Sequence, residues 1–215
     1  MSGRVGVAGD GSGMDEILVV GAGGHAKACV DVLEDQGLFR IVGLIGHGEE
    51  TREIVLGYQI IGRDPDLESL RDRYTNAHVA VGQIKSPDSR IRLYRRLKEL
   101  DYRLPIIISS LGYVSKHSSI GEGTIVMHGA VVNAGAEIGE NCIINSNALV
   151  EHDAKVGGHC HIATAAIVNG GVKIGDGTFI GSGAVTKQGV SVGHRCVVGA
   201  GSVVLGDVDD NELMK

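Results

Sequence analysis

One histidine of the chain stands between two acidic residues, in the run Glu151-His152-Asp153. An imidazole held by a neighbouring carboxylate can act as a general base and remove a proton from an attacking amine or hydroxyl. Eighteen residues further along is Gly170, a residue type whose backbone N–H can approach and stabilise an oxyanion. Together these residues have the parts for an acyl transfer. A solvated surface histidine without a chemical role is the alternative that spacing alone leaves open.

The distance of eighteen residues matters because the second half of the chain repeats every six residues. From Ile108 to Val204 every sixth residue is Ile or Val, except for Thr186, and the fourth residue after each is small or a valine. This period fits neither an α-helix nor a simple strand and predicts a β-solenoid of hexapeptides with three hexads per coil. One coil therefore places Gly170 a strand spacing, about 4.8 Å, above His152.

Strand and helix patterns alternate ahead of the repeats. We predict strands at 16–20, 40–45 and 78–81 and helices at 27–36 and 89–100. This alternation indicates an α/β, Rossmann-like domain with a parallel sheet. The predicted organisation is a flexible leader at 1–14, the α/β nucleotide-sugar-binding domain at 15–107 and a left-handed parallel β-helix, which is all β, at 108–215.

Glycines and histidines follow the predicted strands. Ligands of parallel sheets gather at the carboxyl ends of the strands, which here carry Gly23, Gly24, His25, Gly46, His47 and Gly82. Glycines before a helix allow backbone N–H groups to approach a phosphate. The run GAGGHA at 21–26 resembles a dinucleotide fingerprint, but the acidic residue that would hold an NAD ribose is missing. A phosphate-binding loop and a plain strand-to-helix turn both stay open.

Composition disfavours several classes of protein. A net charge of −6 argues against a nucleic-acid partner, and no run reaches the roughly 18 apolar residues of a membrane span. The four cysteines form no CxxC motif, and three of them occupy the small position of the hexad, which predicts free thiols and a cytoplasmic location. Outward histidines raise a zinc alternative, but His152, His159 and His161 do not stack in one column, so we expect no metal.

The GAGGHA run followed by an uninterrupted solenoid containing VEHD resembles the nucleotide-sugar N-acetyltransferases that act on GDP-perosamine or on UDP-4-amino sugars. Sialic-acid O-acetyltransferases are relatives of these enzymes. The resemblance runs from about residue 17 to about residue 204 and implies acetyl-CoA as co-substrate, a nucleotide-activated amino sugar as acceptor and a role in lipopolysaccharide or glycan biosynthesis. It also implies a homotrimer with active sites between subunits. The alternatives are a sugar O-acetyltransferase and, more distantly, a zinc protein of the γ-carbonic-anhydrase type.

The resemblance further implies individual roles. His152 would be the catalytic base, Asp153 its orienting acid, and Gly170 the oxyanion donor beside the cofactor. Residues implied to contact acetyl-CoA are His161, Gly170, Ser182, Gly199 and Ala200. Residues implied to hold the nucleotide sugar are Gly23, Gly24, His25, Gly46, His47, Gly82 and, on the acceptor side, Asn145. UDP-sugar members usually end the second strand with two aspartates; here Glu49 and Glu50 are the nearest carboxylates, so uracil and guanine both stay open.

Overall fold

The computed structural model describes residues 14–47 and 54–215. The predicted leader at 1–14, apart from its last residue, and the two glutamates at 49 and 50 lie outside the described residues. The first part of the chain contains strands β1 (Asp15–Val20), β2 (Phe39–Gly46), β3 (Ile54–Val55), β4 (Tyr58–Arg63) and β5 (Asn76–Val79) and helices α1 (Gly24–Gln36), α2 (Leu67–Arg71) and α3 (Asp88–Glu99), with a 3-10 turn at Asp64–Asp66.

These strands form one sheet in the order β3-β4-β2-β1-β5. All pairs are parallel except β3 with β4. Alternate residues of β1 enter two different cores, because successive side chains of a strand point to opposite faces. Leu18 and Val20 pack with Leu93 and Leu97 of α3, whereas Val19 packs on the side of α1 and the solenoid. β3, β4 and α2 were not predicted, and β5 lies two residues earlier than the predicted strand.

The rest of the chain is a solenoid of two-residue strands. In chain order they are β6 (Ile107–Ile108), β7 (Tyr113–Val114), β8 (Ser119–Ile120), β9 (Ile125–Val126), β10 (Val131–Val132), β11 (Glu137–Ile138), β12 (Ile143–Ile144), β13 (Leu149–Val150), β14 (Lys155–Val156), β15 (His161–Ile162), β16 (Ile167–Val168), β17 (Lys173–Ile174), β18 (Phe179–Ile180), β19 (Val185–Thr186), β20 (Ser191–Val192), β21 (Val197–Val198), β22 (Val203–Val204) and β23 (Leu213–Met214). The predicted domain boundary after residue 107 stays a prediction.

Strands of the solenoid pair in parallel with the strand one coil away, for example Ile143 with His161 and Val150 with Val168. Three sheets result. The second residue of each strand points inward, and all of them except Thr186 are apolar and build a continuous core. The buried cysteines of the solenoid also donate from sulfur to backbone carbonyls of the next coil, as Cys142 does to Gly157 O at 3.1 Å.

The outward residues distinguish the three walls. The docked wall (β6, β9, β12, β15, β18, β21, β23) begins with buried isoleucines that pack against α1 and β1. The apolar wall (β7, β10, β13, β16, β19, β22) presents Tyr113, Val131, Leu149, Ile167, Val185 and Val203. The polar wall (β8, β11, β14, β17, β20) presents Ser119, Glu137, Lys155, Lys173 and Ser191. The docked wall is the one against which the described part of the α/β domain packs.

Within the described residues, no helix has the length and apolar character needed to cross a membrane.

Candidate active site

His152 lies on the turn between the apolar wall and the polar wall, with 56% of its side chain exposed. Its Nδ1 donates to Asp153 Oδ2 at 2.9 Å. Glu151 Oε2 accepts from the backbone N–H of His152 at 3.2 Å and from Asn133 Nδ2 at 2.9 Å. The hydrogen bond to Asp153 raises the pKa of His152 above its ordinary value, and the negative charges of Asp153 and Glu151 add to that effect. With Nδ1 occupied, Nε2 is the nitrogen that can take a proton.

Gly170 stacks directly on this imidazole. The coils are in register here, because Gly171 N donates to His152 O at 3.0 Å. A Cβ built on Gly170 would lie 2.7 Å from His152 Nε2, a distance at which one of the two residues would have to move. The absence of a side chain at Gly170 therefore lets the His152 imidazole pack against the backbone of the next coil. The N–H of Gly170 donates to no backbone carbonyl and to no side chain of the described residues.

A cavity of about 830 Å³ opens at the carboxyl ends of β1, β2 and β5. It brings together all the residues predicted to hold the nucleotide sugar, namely Gly23, Gly24, His25, Gly46, His47, Gly82 and Asn145. The first six come from the α/β domain, and Asn145 comes from the solenoid after β12. The cavity thus lies between the sheet edge and the docked wall. Its volume is within the usual range for small-molecule sites.

The glycines at the start of α1 and just before it differ in what the fold requires of them. Gly21 has φ +133°, and a Cβ there would lie 2.7 Å from Ala80 O, so packing of the backbone demands a glycine. Gly23 has φ −83°, and a Cβ on Gly23 or Gly24 would meet nothing within 4 Å. Neither a turn nor packing explains these two glycines. Open space in front of the α1 N-terminus is the arrangement that admits an anionic ligand to backbone N–H groups.

His161 lies on the wall of this cavity, and only 7% of its surface is exposed. Its ring centroid is 6.3 Å from that of His25, and its Nε2 is 3.0 Å from Asn145 Nδ2. Burial lowers the pKa of His161 to about 4, so the ring is neutral at physiological pH. The structure therefore groups His161 with the residues predicted for the nucleotide sugar.

Three of the residues predicted to contact acetyl-CoA, namely Ser182, Gly199 and Ala200, lie at the corner between the docked wall and the apolar wall. Ser182 follows the docked-wall strand β18 and stacks under Gly199–Ala200, with Gly201 N donating to Ser182 O at 2.9 Å. This corner and the corner of His152 are the two opposite edges of the apolar wall. One chain thus separates the predicted base from the cavity and from Ser182, Gly199 and Ala200, whereas Gly170, also predicted to contact acetyl-CoA, stays beside the base.

Family models match both parts of the chain. That of the PglD N-terminal domain covers residues 16–97, that of the bacterial transferase hexapeptide (six repeats) covers 117–152, and that of the hexapeptide repeat of succinyl-transferase covers 171–205. The acetyltransferase domain of PglB from Neisseria gonorrhoeae FA1090, solved in complex with acetyl coenzyme A, is 31% identical with a TM-score of 0.86, covering 94% of this chain and 96% of that one. The chain belongs to the hexapeptide-repeat acetyltransferases with a PglD-type N-terminal domain.

Two further structures resemble this acetyltransferase. PerB from Caulobacter crescentus, solved in complex with CoA and GDP-perosamine, is 33% identical with a TM-score of 0.86, covering 94% of each chain. WeeI from Acinetobacter baumannii AYE, 24% identical with a TM-score of 0.82 over 92% of this chain and 94% of that one, shares the fold. No curated protein matches significantly. The predicted family resemblance and the predicted α/β domain with a left-handed β-helix are confirmed.

The cavity of this acetyltransferase also contains residues that the sequence did not reveal. Asp64 lines it directly after β4, next to the end of β2, where Gly46 pairs with Arg63. The sequence pattern does not reveal Asp64, because β4 was not predicted and the expected place for a carboxylate was the end of β2. Gln83 was missed because an amide in a loop carries no sequence signal of its own, although it follows the predicted glycine at 82.

The outward histidines each have separate partners. His159 packs edge-on against Tyr94 and lies 3.5 Å from Glu140, whereas His161 contacts Gln83 O. Over residues 14–47 and 54–215, no three His, Cys, Asp or Glu side chains are grouped as metal ligands.

Proposed function

We propose that this acetyltransferase moves the acetyl group of acetyl-CoA to the 4-amino group of a nucleotide-linked 4-amino-4,6-dideoxysugar, either GDP-perosamine or a UDP-4-amino sugar. The observation that carries the proposal is that all the residues predicted for the nucleotide sugar line one and the same cavity. The relatives support it, because PglB was solved with acetyl-CoA and PerB with CoA and GDP-perosamine. Use of acetyl-CoA, together with buried free cysteines, favours a cytoplasmic location.

In this mechanism the neutral amine attacks the thioester carbonyl directly. The C–N bond forms, the C–S bond breaks and CoA leaves as the thiolate, so no covalent enzyme intermediate is needed. His152 Nε2 takes the proton that the nitrogen loses and can return it to the CoA sulfur. A positioned base of this kind contributes on the order of 10²–10⁴ in rate. Asp153 keeps the second ring nitrogen protonated, which matches the hydrogen bond at 2.9 Å.

Gly170 would supply its N–H to the oxyanion of the tetrahedral intermediate. The N–H has no acceptor in the described part of the chain, and it lies next to the imidazole that takes the proton. Loss of one such donor typically costs roughly 3 kcal/mol of transition-state stabilisation. The same glycine is expected to contact acetyl-CoA, as are Ser182, Gly199 and Ala200 across the groove.

A homotrimer is part of the proposal, because one chain does not complete the site. The apolar wall presents only aliphatic and aromatic outward residues, whereas the polar wall presents serines, lysines and a glutamate. The strip is continuous, exposed at Tyr113 and Val203 and half-buried between them, and an apolar strip of this kind marks a protein interface. Packing the apolar walls around a threefold axis brings the His152 corner of one subunit to the cavity corner of the next.

The substrate is tested by comparing acceptors with radiolabelled acetyl-CoA. We expect acetylation of GDP-perosamine or a UDP-4-amino sugar, with the label resistant to mild base as an amide, and no turnover of free sialic acid. Calorimetry with GDP and UDP separately then identifies the base. Base-labile acetylation of a free sugar hydroxyl, with no dependence on the nucleotide, would contradict the proposal and favour the O-acetyltransferase alternative.

A further inference from the structure

Arg90 of α3 is a buried cation that has no carboxylate among its hydrogen-bond partners in the described part of the chain. Only 1% of its surface is exposed. Its Nη1 donates to Gln83 Oε1 at 3.0 Å, and its Nη2 donates to Asn141 O and, at 3.2 Å, to Asn141 Oδ1. Burying a charge without an opposite charge is costly. All three hydrogen bonds run to Gln83 of the loop after β5 and to Asn141 of the solenoid, so the guanidinium joins the two parts of the fold.

Gln83 is the partner whose orientation Arg90 determines. A guanidinium only donates hydrogen bonds, so the Gln83 side-chain oxygen must face it. The amide nitrogen then donates to Gly177 O of the solenoid at 2.9 Å. These two bonds hold the loop after β5 between α3 and the solenoid turn that precedes β18. The backbone carbonyl of Gln83 is thereby placed 2.8 Å from His161 Nδ1.

This carbonyl fixes the tautomer of His161. A carbonyl oxygen only accepts, so Nδ1 carries the proton, and in the neutral ring Nε2 must be an acceptor. The ring is neutral because burial lowers its pKa to about 4. Asn145 Nδ2 therefore donates to Nε2 at 3.0 Å, while Asn145 Oδ1 accepts from Ser146 N at 2.8 Å. The oxygen and one N–H of the Asn145 carboxamide therefore have partners. Its second N–H is left to donate into the cavity that Asn145 lines.

We propose that Arg90 and Gln83 are positioning residues that act through His161 to hold Asn145 as a hydrogen-bond donor towards an oxygen of the acceptor sugar. We call Arg90, Gln83, His161 and Asn145 the Arg90 relay. The proposal rests on the proposed function, because it assigns the cavity to the nucleotide sugar. The relay begins in α3, more than fifty residues before Asn145 in the chain, and crosses from one part of the fold to the other.

The test combines imidazole NMR with kinetics on the full chain. In wild-type protein labelled with ¹⁵N-histidine we expect His161 in the Nδ1–H tautomer at pH 7. Arg90→Met should shift this resonance pair towards the Nε2–H tautomer and raise KM for the nucleotide amino sugar about tenfold, with KM for acetyl-CoA changed less than about twofold. Arg95→Met, an exposed arginine on the same helix, is the matched control and should change neither.

Asn145→Ala keeps the proposal testable should Arg90→Met fail to fold. It should raise KM for the sugar by a similar factor and leave His161 in the Nδ1–H tautomer, and the double variant should be no worse than either single one. An Nε2–H tautomer in the wild type, or an unchanged KM in Asn145→Ala, would overturn the relay. If no nucleotide amino sugar is acetylated at all, the proposed function fails, and the tautomer still reports on the relay separately.

Discussion

His152 and His161 are nine residues apart on the same solenoid, yet their surroundings are opposite. His152 is on an uncovered corner, bonded to a carboxylate that raises its pKa. His161 is on the docked wall, bonded to a carbonyl and an amide, and burial lowers its pKa to about 4. The hexad dictates where each side chain points. What covers the wall decides whether the imidazole can work as a base or serves as a fixed neutral contact.

The largest expected effect is that of His152→Asn. We expect kcat to fall about 10²- to 10⁴-fold because the proton acceptor is lost, while acetyl-CoA affinity, measured by calorimetry, stays within about twofold. His194→Asn is the matched control: His194 is 57% exposed on the solenoid and also lies beside a carboxylate, at 3.6 Å from Asp176. Near-normal turnover of His152→Asn would contradict the assignment of His152 as the base, and the functional contrast between the two histidines would then no longer hold.

A smaller but still large effect is expected from a charge on the apolar wall. Ile167→Glu puts a carboxylate into the predicted subunit interface, where it would be desolvated without a partner. We expect a shift from trimer to monomer by light scattering and a loss of turnover of about tenfold or more at micromolar protein. Lys173→Glu, at the same strand position on the polar wall, should change neither. A wild-type monomer in solution would contradict the trimer outright.

The smallest effect is expected from Asp153→Asn, which tests why the pKa of His152 is raised while that of His161 is lowered. The base works when neutral, so kcat/KM of the wild type should rise with pH through a His152 pKa above the ordinary value. Asparagine removes the largest cause of that elevation, so the acidic limb should move to lower pH. The plateau should fall by about tenfold because the ring is less well oriented. An acidic limb that stays in place would show that Asp153 does not set the pKa.

The sequence predicts the neighbours of His152 better than it predicts those of His161. A six-residue period requires a coil of eighteen, so the stacking of Gly170 on His152 follows from residue spacing alone. The surroundings of His161 depend on Gln83, seventy-eight residues earlier, and no repeat encodes that contact. Asp64 was missed for a related reason: β4 reaches the cavity only through its place in the sheet, beside β2. The sequence identified Gly23 and Gly24 as candidates, but it could not show that the space around them is open.

A variant that closes the cavity without harming the fold allows a test across subunits. Gly24→Glu suits this purpose, since a Cβ there meets nothing within 4 Å. An acidic residue in the first turn also favours the helix. Its carboxylate projects towards the space where phosphates are expected, so this variant alone should be inactive while keeping His152 intact.

The most direct measurement of the central claim is complementation between His152→Asn and Gly24→Glu chains, co-expressed with different tags and purified through both. If the base of one subunit serves the cavity of the next, each mixed trimer contains one intact site, and activity should return to about a third of the wild-type value. If base and cavity of a single chain form the site, every site carries a defect, and the mixed trimers would stay as inactive as the two parents.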